Sequence, residues 1–123
     1  MTTILIIDDE YLIADILSFA LEDEGFLTVT AGSGRKALDV LDRERPDLII
    51  TDYMMPGMTG LELAETVKGR DKCARIPIIL MSGAQAYVGA ERPDLFVKVL
   101  DKPFDIDAVI DTVKGVLDTA SEA

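Results

Sequence analysis

Short apolar runs alternate along the chain with longer segments in which apolar residues recur at helical spacing. The runs have the length of strands, and several are rich in β-branched residues. The first run lacks polar alternation, which is typical of a strand buried on both faces of a parallel sheet. The predicted strands are Thr3–Ile7, Leu27–Ala31, Leu48–Ile50, Ile78–Met81 and Leu95–Leu100.

The segments between the runs predict helices, because their apolar residues recur every three or four positions. The first helix is predicted over Tyr11–Glu24, and the others over about Arg35–Arg43, from Thr59-Gly60 to Gly69, and from Ile106 onward. On the first helix, the predicted inward face comprises Ile13, Leu17 and Leu21, with Leu12, Ile16 and Ala20 beside them. The segment Ala84–Asp94 allows at most a short helix, since it contains Gly89 and Pro93.

Strands and helices therefore alternate five times within 123 residues, with no linker or repeat between them. This pattern predicts an α/β fold in which a parallel sheet carries helices on both faces. Right-handed crossovers favour a single flavodoxin-like, doubly wound, five-stranded sheet with strand order 2-1-3-4-5. We expect one domain over residues 1–123.

Polar residues stand at the carboxyl ends of four of the five predicted strands. Asp8 and Asp9 follow the first strand, Asp52 the third, Ser82 the fourth and Lys102 the fifth. In the order 2-1-3-4-5, strand two is at an edge, while strands one and three meet at the switch point where ligands bind. Strand two contributes no charge and lies at an edge, and the three carboxylates are expected to converge at the switch point.

Each of these residues also has a simpler explanation when it is taken alone. Asp9 or Asp52 could cap a following helix or turn, Ser82 could be a turn residue, and Lys102 could be a solvated loop lysine. Independent roles of this kind do not predict that all five residues meet at one edge of the sheet. We therefore interpret them as one site.

Three close carboxylates repel one another by on the order of 1–4 kcal/mol per pair and require a counter-charge. Lys102 supplies one positive charge, and a divalent cation would supply more. Mg²⁺ fits, because it takes one or two carboxylates, retains water and also binds phosphate oxygens. An Asp carboxylate beside Mg²⁺, a lysine and a hydroxyl is an arrangement that can accept a phosphoryl group.

The composition of the chain disfavours or excludes several classes of function. The formal net charge of -11 disfavours direct binding of nucleic acid, and the absence of histidine excludes Ser-His-Asp catalysis and histidine-based zinc sites. The single Cys73 cannot form an internal disulfide and is interpreted as an incidental thiol in a reducing compartment. No apolar run is long enough to cross a membrane, so we expect a soluble, cytoplasmic protein.

Four motifs resemble the receiver domains of two-component response regulators. They are Ile6-Ile7-Asp8-Asp9-Glu10, Asp52-Tyr53-Met54-Met55-Pro56-Gly57-Met58-Thr59-Gly60, Met81-Ser82-Gly83-Ala84 and Lys102-Pro103-Phe104. The resemblance extends over the whole chain, and the Asp-x-x-Met-Pro-x-Met-x-Gly pattern is its most specific part.

The resemblance implies a role for each site residue. Asp52 would accept the phosphoryl group from a phosphohistidine on a sensor histidine kinase or histidine phosphotransfer protein. Asp9, Asp52 and the Met54 carbonyl would hold Mg²⁺, with Asp8 assisting through water. Lys102 would pair with the phosphoryl group and Ser82 would bond it, while the Lys102-Pro103 peptide would be cis. The domain would then signal by conformational change to a protein target and would not itself be an enzyme.

Two features depart from the family pattern. Val99 occupies the position of the usual aromatic switch residue. The nearby Phe96 is an alternative switch residue, although its position does not match the family pattern. The connection from Ser82 to Lys102 is also short. The side chains of Met54 and Ala84 cannot act as bases, so we expect neither to assist hydrolysis of the phosphoryl group.

Other classes of protein fit less well. Aspartyl-phosphate hydrolases are typified by an Asp-x-Asp pattern. In this chain the residue two positions after Asp52 is Met54 instead of aspartate. A nucleotide or flavin binder would need a Gly-rich or Ser/Thr-rich loop where Asp8-Asp9-Glu10 stand. A pseudo-receiver that binds proteins without phosphorylation, or a receiver excised from a larger regulator or hybrid kinase, remains an alternative. No output domain is expected within the chain.

Overall fold

The computed structural model describes residues 2–83 and 86–122. It contains a five-stranded sheet in the order β2-β1-β3-β4-β5, in which all neighbouring strands are parallel, as predicted. The strands are β1 (Thr3–Ile7), β2 (Leu27–Ala31), β3 (Leu48–Asp52), β4 (Ile78–Ser82) and β5 (Lys98–Asp101). The helices are α1 (Tyr11–Asp23), α2 (Gly34–Arg43), α3 (Gly60–Lys68), α4 (Ala86–Glu91) and α5 (Ile106–Glu122).

Local side-chain chemistry fixes where two of the helices begin. The Ser33 hydroxyl accepts a hydrogen bond from the Lys36 N–H at the start of α2. At α3, Thr59 and Glu62 form a reciprocal capping box, in which each side chain bonds the other's backbone N–H. Two backbone N–H groups at the helix terminus are thereby satisfied, so α3 begins at Gly60.

The sheet divides the interior into two apolar layers, because successive strand residues point to opposite faces. One layer joins Ile4, Ile6, Ile50 and Ile79 to α1 and α5, chiefly through Leu17, Leu21, Val109 and Val113. The other joins Leu5, Ile49 and Leu80 to α2 and α3, chiefly through Ala37, Leu41, Leu63 and Val67. Both layers leave the carboxyl ends of the strands accessible at one edge. Within residues 2–83 and 86–122, no helix has both the length and the apolar content needed to cross a bilayer.

The predicted start of the fifth strand is wrong. Strand β5 begins at Lys98, and the N–H groups of Leu95 and Phe96 both donate to the Arg92 carbonyl in a turn. Leu95 and Phe96 are buried, so they anchor this turn in the core rather than extend the sheet. In the sequence, an apolar run looks the same whether it forms a strand or a buried turn. The expectation of at most a short helix before it is confirmed, since α4 has six residues.

The predicted inward face of α1 is also partly wrong. Ala14, Leu17 and Leu21 are buried, but Leu12 and Ile16 point away from the sheet and are exposed. The helix is therefore apolar on two opposite sides, and only one of them packs against the domain.

Replacing Lys68 with Met is expected to lower the free energy of unfolding by about 1.5–3 kcal/mol. The Lys68 ammonium donates to the carbonyls of Ala74 (3.2 Å) and Ile76 (2.9 Å), and thereby fixes the connection between α3 and β4. Methionine retains the apolar stem but leaves both carbonyls without this donor. Urea unfolding measures the change, and Lys72→Met is the control, because Lys72 is exposed on the same connection. Equal unfolding free energies for the two variants would contradict this role.

Candidate functional site

The register of the sheet brings the predicted site residues to one edge. Ile7 pairs with Thr51, so Asp8 emerges beside Asp52 at the ends of β1 and β3. On the other side, Ser82 pairs with Asp101 at the ends of β4 and β5, and Lys102 follows directly. The Lys102 N–H donates to the Ser82 carbonyl at 2.9 Å. The edge strand β2 contributes no charged residue at its end, as the sequence pattern predicted.

Three carboxylates form the acidic part of the site. One oxygen from each of Asp8, Asp9 and Asp52 lies within 4.8 Å of the others. Asp8 and Asp52 are only 1% and 5% exposed, whereas Asp9 is exposed. The cluster therefore has a buried floor and one side open to solvent. Asp9 does not cap α1, because the cap residue is Glu10, which makes no side-chain capping bond.

Lys102 is the cation that faces this cluster. Its ammonium nitrogen lies 3.0 Å from Asp52 Oδ1 and 3.7 Å from Asp8 Oδ2. The peptide between Lys102 and Pro103 is cis, as the family resemblance implied. One lysine thus contacts two buried carboxylates, which leaves the site with an excess of negative charge.

The pKa values of Asp8, Asp52 and Lys102 are all raised, by burial of the two carboxyl groups and by the excess of negative charge around the lysine. Desolvation by burial raises the pKa of Asp8 to about 6, and repulsion from Asp52 adds to the effect. Burial likewise raises the pKa of Asp52, although the hydrogen bond from Lys102 opposes it. Burial by itself lowers the pKa of Lys102, but the hydrogen bond to Asp52 and the surrounding carboxylates raise it above its ordinary value. The lysine therefore stays charged at neutral pH.

Two buried polar atoms of the site, Asp8 Oδ2 and Ser82 Oγ, have no hydrogen-bond partner among the residues that the structure describes. Buried polar groups are normally satisfied, so an unpartnered pair in one site indicates that a ligand completes it. An all-oxygen donor set with surplus negative charge fits a hard divalent cation such as Mg²⁺. The unpartnered Ser82 hydroxyl can donate a hydrogen bond to an oxygen atom of an anion.

Asp52 is held in a fixed orientation. Its Oδ1 accepts hydrogen bonds from the Tyr53 N–H at 3.0 Å and from Lys102. No donor in residues 2–83 and 86–122 hydrogen-bonds to Oδ2. One oxygen is therefore anchored, while the other is available to a reaction partner.

Gly60 lets α3 begin directly against Asp52, a role that sequence reasoning missed. A Cβ atom on Gly60 would collide with the Asp52 carbonyl oxygen and lie 3.1 Å from Tyr53 Cα. The Gly60 N–H also donates to the Tyr53 carbonyl at 2.8 Å. The sequence carried two signals, the Thr59-Gly60 pair, which we interpreted as a helix start, and the place of Gly60 at the end of the Asp-x-x-Met-Pro-x-Met-x-Gly pattern.

The remaining predicted residues lie around this site. The Met54 side chain is 59% exposed beyond the end of β3. Ala84 lies outside the described residues. A groove of about 740 Å³ lies elsewhere, between the start of β5 and α5, and contains none of the site residues.

Val99 and Gly89 define the contact between β5 and α4. A Cβ atom on Gly89 would collide with Val99 Cγ2 and would lie 3.0 Å from Leu80 Cδ2. The helix thus rests on β5 with no side chain of its own at the point of contact. Phe96 is 3% exposed and packs into the core.

Comparisons with known proteins agree with this fold and identify its family. Residues 4–114 match the family model described as the response regulator receiver domain. Sporulation initiation phosphotransferase F of Bacillus subtilis (strain 168) is 37% identical over 93% of this chain and 92% of that protein. The phosphate regulon transcriptional regulatory protein PhoB of Pseudomonas aeruginosa is 40% identical over 94% of this chain and 51% of that protein. This chain thus spans about half the length of PhoB.

A solved structure extends the comparison to three dimensions. The chemotaxis response regulator CheY4 of Vibrio cholerae has a TM-score of 0.85 at 30% identity. The superposition covers 94% of this chain and 98% of that one.

Proposed function

This chain belongs to the response regulator receiver domain family of two-component systems, and from that premise we propose that it accepts a phosphoryl group on Asp52. The donor is a phosphohistidine on a sensor histidine kinase or a histidine phosphotransfer protein. The observation that carries the proposal is the position of Asp52, which lies buried between two further carboxylates and Lys102. Residues 1–123 act together as one receiver domain.

In the transfer step, a carboxylate oxygen of Asp52 attacks the phosphorus of the donor's phosphohistidine. The new O–P bond forms an acyl phosphate as the P–N bond breaks. The electron pair of that bond remains on the donor's imidazole nitrogen, which takes up a proton from solvent. In this proposal, the ammonium of Lys102 and the hydroxyl of Ser82 stabilise the charge on the phosphoryl oxygens.

The residues that would hold Mg²⁺ are Asp8, Asp9 and Asp52 together with the Met54 carbonyl. When bound, this ion neutralises negative charge on the transferring group. The protein's own contribution is to hold the carboxylates together on rigid strands, to limit solvent access to Asp8 and Asp52, and to keep Lys102 charged beside them.

The output of this receiver is a conformational change that a protein partner reads. Ser82 moves to bond the phosphoryl group, and the connection after β4 leads directly into α4. Since Val99 stands at the family's aromatic position, coupling passes through the contact of Val99 with Gly89 instead of through a rotating ring. The net charge of -11 disfavours direct nucleic acid contact, and the domain acts in the cytoplasm as a phosphoacceptor rather than an enzyme.

Incubation with acetyl phosphate is expected to add the mass of one phosphoryl group to the chain only when Mg²⁺ is present. The reason is that Lys102 alone does not compensate three carboxylates and an incoming dianion. Intact-protein mass spectrometry measures the modified fraction, with EDTA as the metal-free control. A folded protein that gains no mass under either condition would instead support a pseudo-receiver, which binds partners without phosphorylation.

A further inference from the structure

Two connections at the amino ends of β3 and β4 enclose a groove of about 300 Å³. One wall comes from the α2–β3 connection and includes Arg45, and the other comes from the α3–β4 connection and includes Lys72 and Arg75. We call this cavity the amino-end groove. The acceptor Asp52 stands at the opposite end of β3, about 15 Å away at about 3.3 Å per strand residue. The groove is therefore separate from the acceptor site.

Hydrogen bonds and one ion pair hold the walls of the amino-end groove in place. The Thr3 N–H donates to Asp47 Oδ2 and the Asp47 N–H donates to the Thr3 carbonyl, each at 2.8 Å, which anchors the first wall to β1. The Lys68 ammonium donates to two carbonyls of the second wall. Arg70 Nη1 lies 2.9 Å from Asp42 Oδ1 and joins the second wall to the end of α2. The groove is thus formed without a partner.

Three cations of the groove have no acidic partner. Arg45, Lys72 and Arg75 are exposed, and none of them forms an ion pair within residues 2–83 and 86–122. The acids of the lining are Asp47, which is bonded to the Thr3 N–H, and Asp71. The lining carries a net charge of +1, whereas the rest of the chain carries -12. Unpaired cations concentrated in so acidic a chain indicate a surface that receives negative charge.

The shape and floor of the groove indicate what kind of anion it receives. Pro46 and Ile76 are buried beneath the cations, and Pro77 is half-buried beside them, so the floor is apolar. A concave surface with an apolar floor fits a peptide segment better than a flat bilayer. The net charge of -11 opposes a long polyanion such as nucleic acid. Arginine binds carboxylates through two parallel hydrogen bonds, so glutamate or aspartate side chains suit Arg45 and Arg75.

We propose that the amino-end groove docks an acidic segment of a partner protein. Carboxylates of that segment pair with Arg45, Lys72 and Arg75, and an apolar side chain of the segment covers Ile76. Since the groove and Asp52 lie at opposite ends of β3, the segment leaves the acceptor site open while it is bound. The groove therefore tethers the domain to its partner whether or not Asp52 carries a phosphoryl group, and this inference does not depend on the proposed transfer.

The test measures binding of a short fluorescein-labelled peptide that is rich in glutamate and has a central leucine. Fluorescence anisotropy gives its dissociation constant, and the same peptide with glutamine in place of glutamate is the uncharged probe. The variant Arg45→Glu/Arg75→Glu reverses two cations of the groove. The matched control is Arg35→Glu/Lys36→Glu, which changes the net charge equally at exposed positions near the other end of α2. Circular dichroism verifies that both variants are folded.

We expect the groove variant to raise the dissociation constant of the glutamate peptide by about tenfold or more, and the control variant to change it by less than about twofold. The glutamine peptide is expected to bind the wild-type chain at least about tenfold more weakly than the glutamate peptide. Equal losses in the two variants would overturn the proposal, because the overall charge would then explain them. Absence of binding to the wild-type chain would also overturn it.

Two further probes exclude other occupants of the groove. Inorganic phosphate at the same ionic strength as sodium chloride is expected to displace the peptide no better than the chloride salt does. Vesicles that contain phosphatidylserine are expected not to sediment the wild-type chain. Specific displacement by phosphate would assign the groove to a small anion, and sedimentation that the groove variant abolishes would assign it to a membrane surface. Either result would overturn the proposed protein partner.

Discussion

Replacing Asp52 with Asn is expected to reduce phosphoryl incorporation to background, whether the donor is acetyl phosphate or a phosphorylated kinase. The amide has nearly the same shape as the carboxylate but lacks a nucleophilic oxygen that can form an acyl phosphate. Asp8 and Asp9 remain in the variant, yet Asp8 Oδ1 is committed to the Glu10 N–H and Asp9 lies at the open side of the cluster. Neither residue has an ammonium within 3.0 Å, as Asp52 has.

Intact mass and tandem mass spectrometry of the reduced acyl phosphate locate the modified residue. The matched control is Asp71→Asn, which removes one charge from an exposed loop far along the chain from the site. The control is expected to label like wild type. Undiminished labelling of Asp52→Asn would contradict the assignment of the acceptor, and modification of a different carboxylate would relocate it.

Replacing Gly60 with Ala is expected to destabilise the fold by about 1–3 kcal/mol and to slow labelling of Asp52 by acetyl phosphate. The added methyl group would collide with the carbonyl oxygen of Asp52, which is backbone and cannot rotate away. Relief requires α3 to move away from β3, and that movement shifts the residue that carries the acceptor carboxylate. One substitution should therefore affect stability and reactivity together.

Gly115→Ala is the control for this experiment. Gly115 lies within α5, where an added Cβ atom has nothing within 4 Å. Alanine there should stabilise the helix by about 0.5–1 kcal/mol and leave labelling unchanged. Urea unfolding and the initial rate of labelling are measured on both variants. A Gly60→Ala protein as stable and as reactive as wild type would show that the approach of α3 to Asp52 is not constrained.

The sheet and its order could be predicted from the sequence because short apolar runs alternate with helical segments. The continuous apolar runs identify β1, β3 and β4 as buried strands, and right-handed crossovers between parallel strands favour the order 2-1-3-4-5. The convergence of Asp8, Asp9, Asp52 and Lys102 followed from this order before any distance was known. Topology, rather than any single motif, made the candidate site predictable.

Each feature that the sequence analysis predicted wrongly or missed has a physical cause. Leu95 and Phe96 are as apolar as strand residues, but they are buried in a turn because their N–H groups bond to the Arg92 carbonyl. Leu12 and Ile16 share the spacing of a core face, yet spacing alone cannot tell whether an apolar face meets the domain or a partner. The close approach of Gly60 to Asp52 depends on the distance between α3 and β3, which cannot be read from a single sequence.

The contact of Gly89 with Val99 has a consequence for how this protein can diverge. Since the helix lies directly on the valine, a side chain at position 89 would collide with Val99 while the helix stays in place. A larger residue at position 89 is therefore compatible only with a smaller residue at position 99 or with a displaced helix. In an alignment of sequences from close descendants, glycine at position 89 should persist wherever position 99 keeps a β-branched residue and α4 keeps its position.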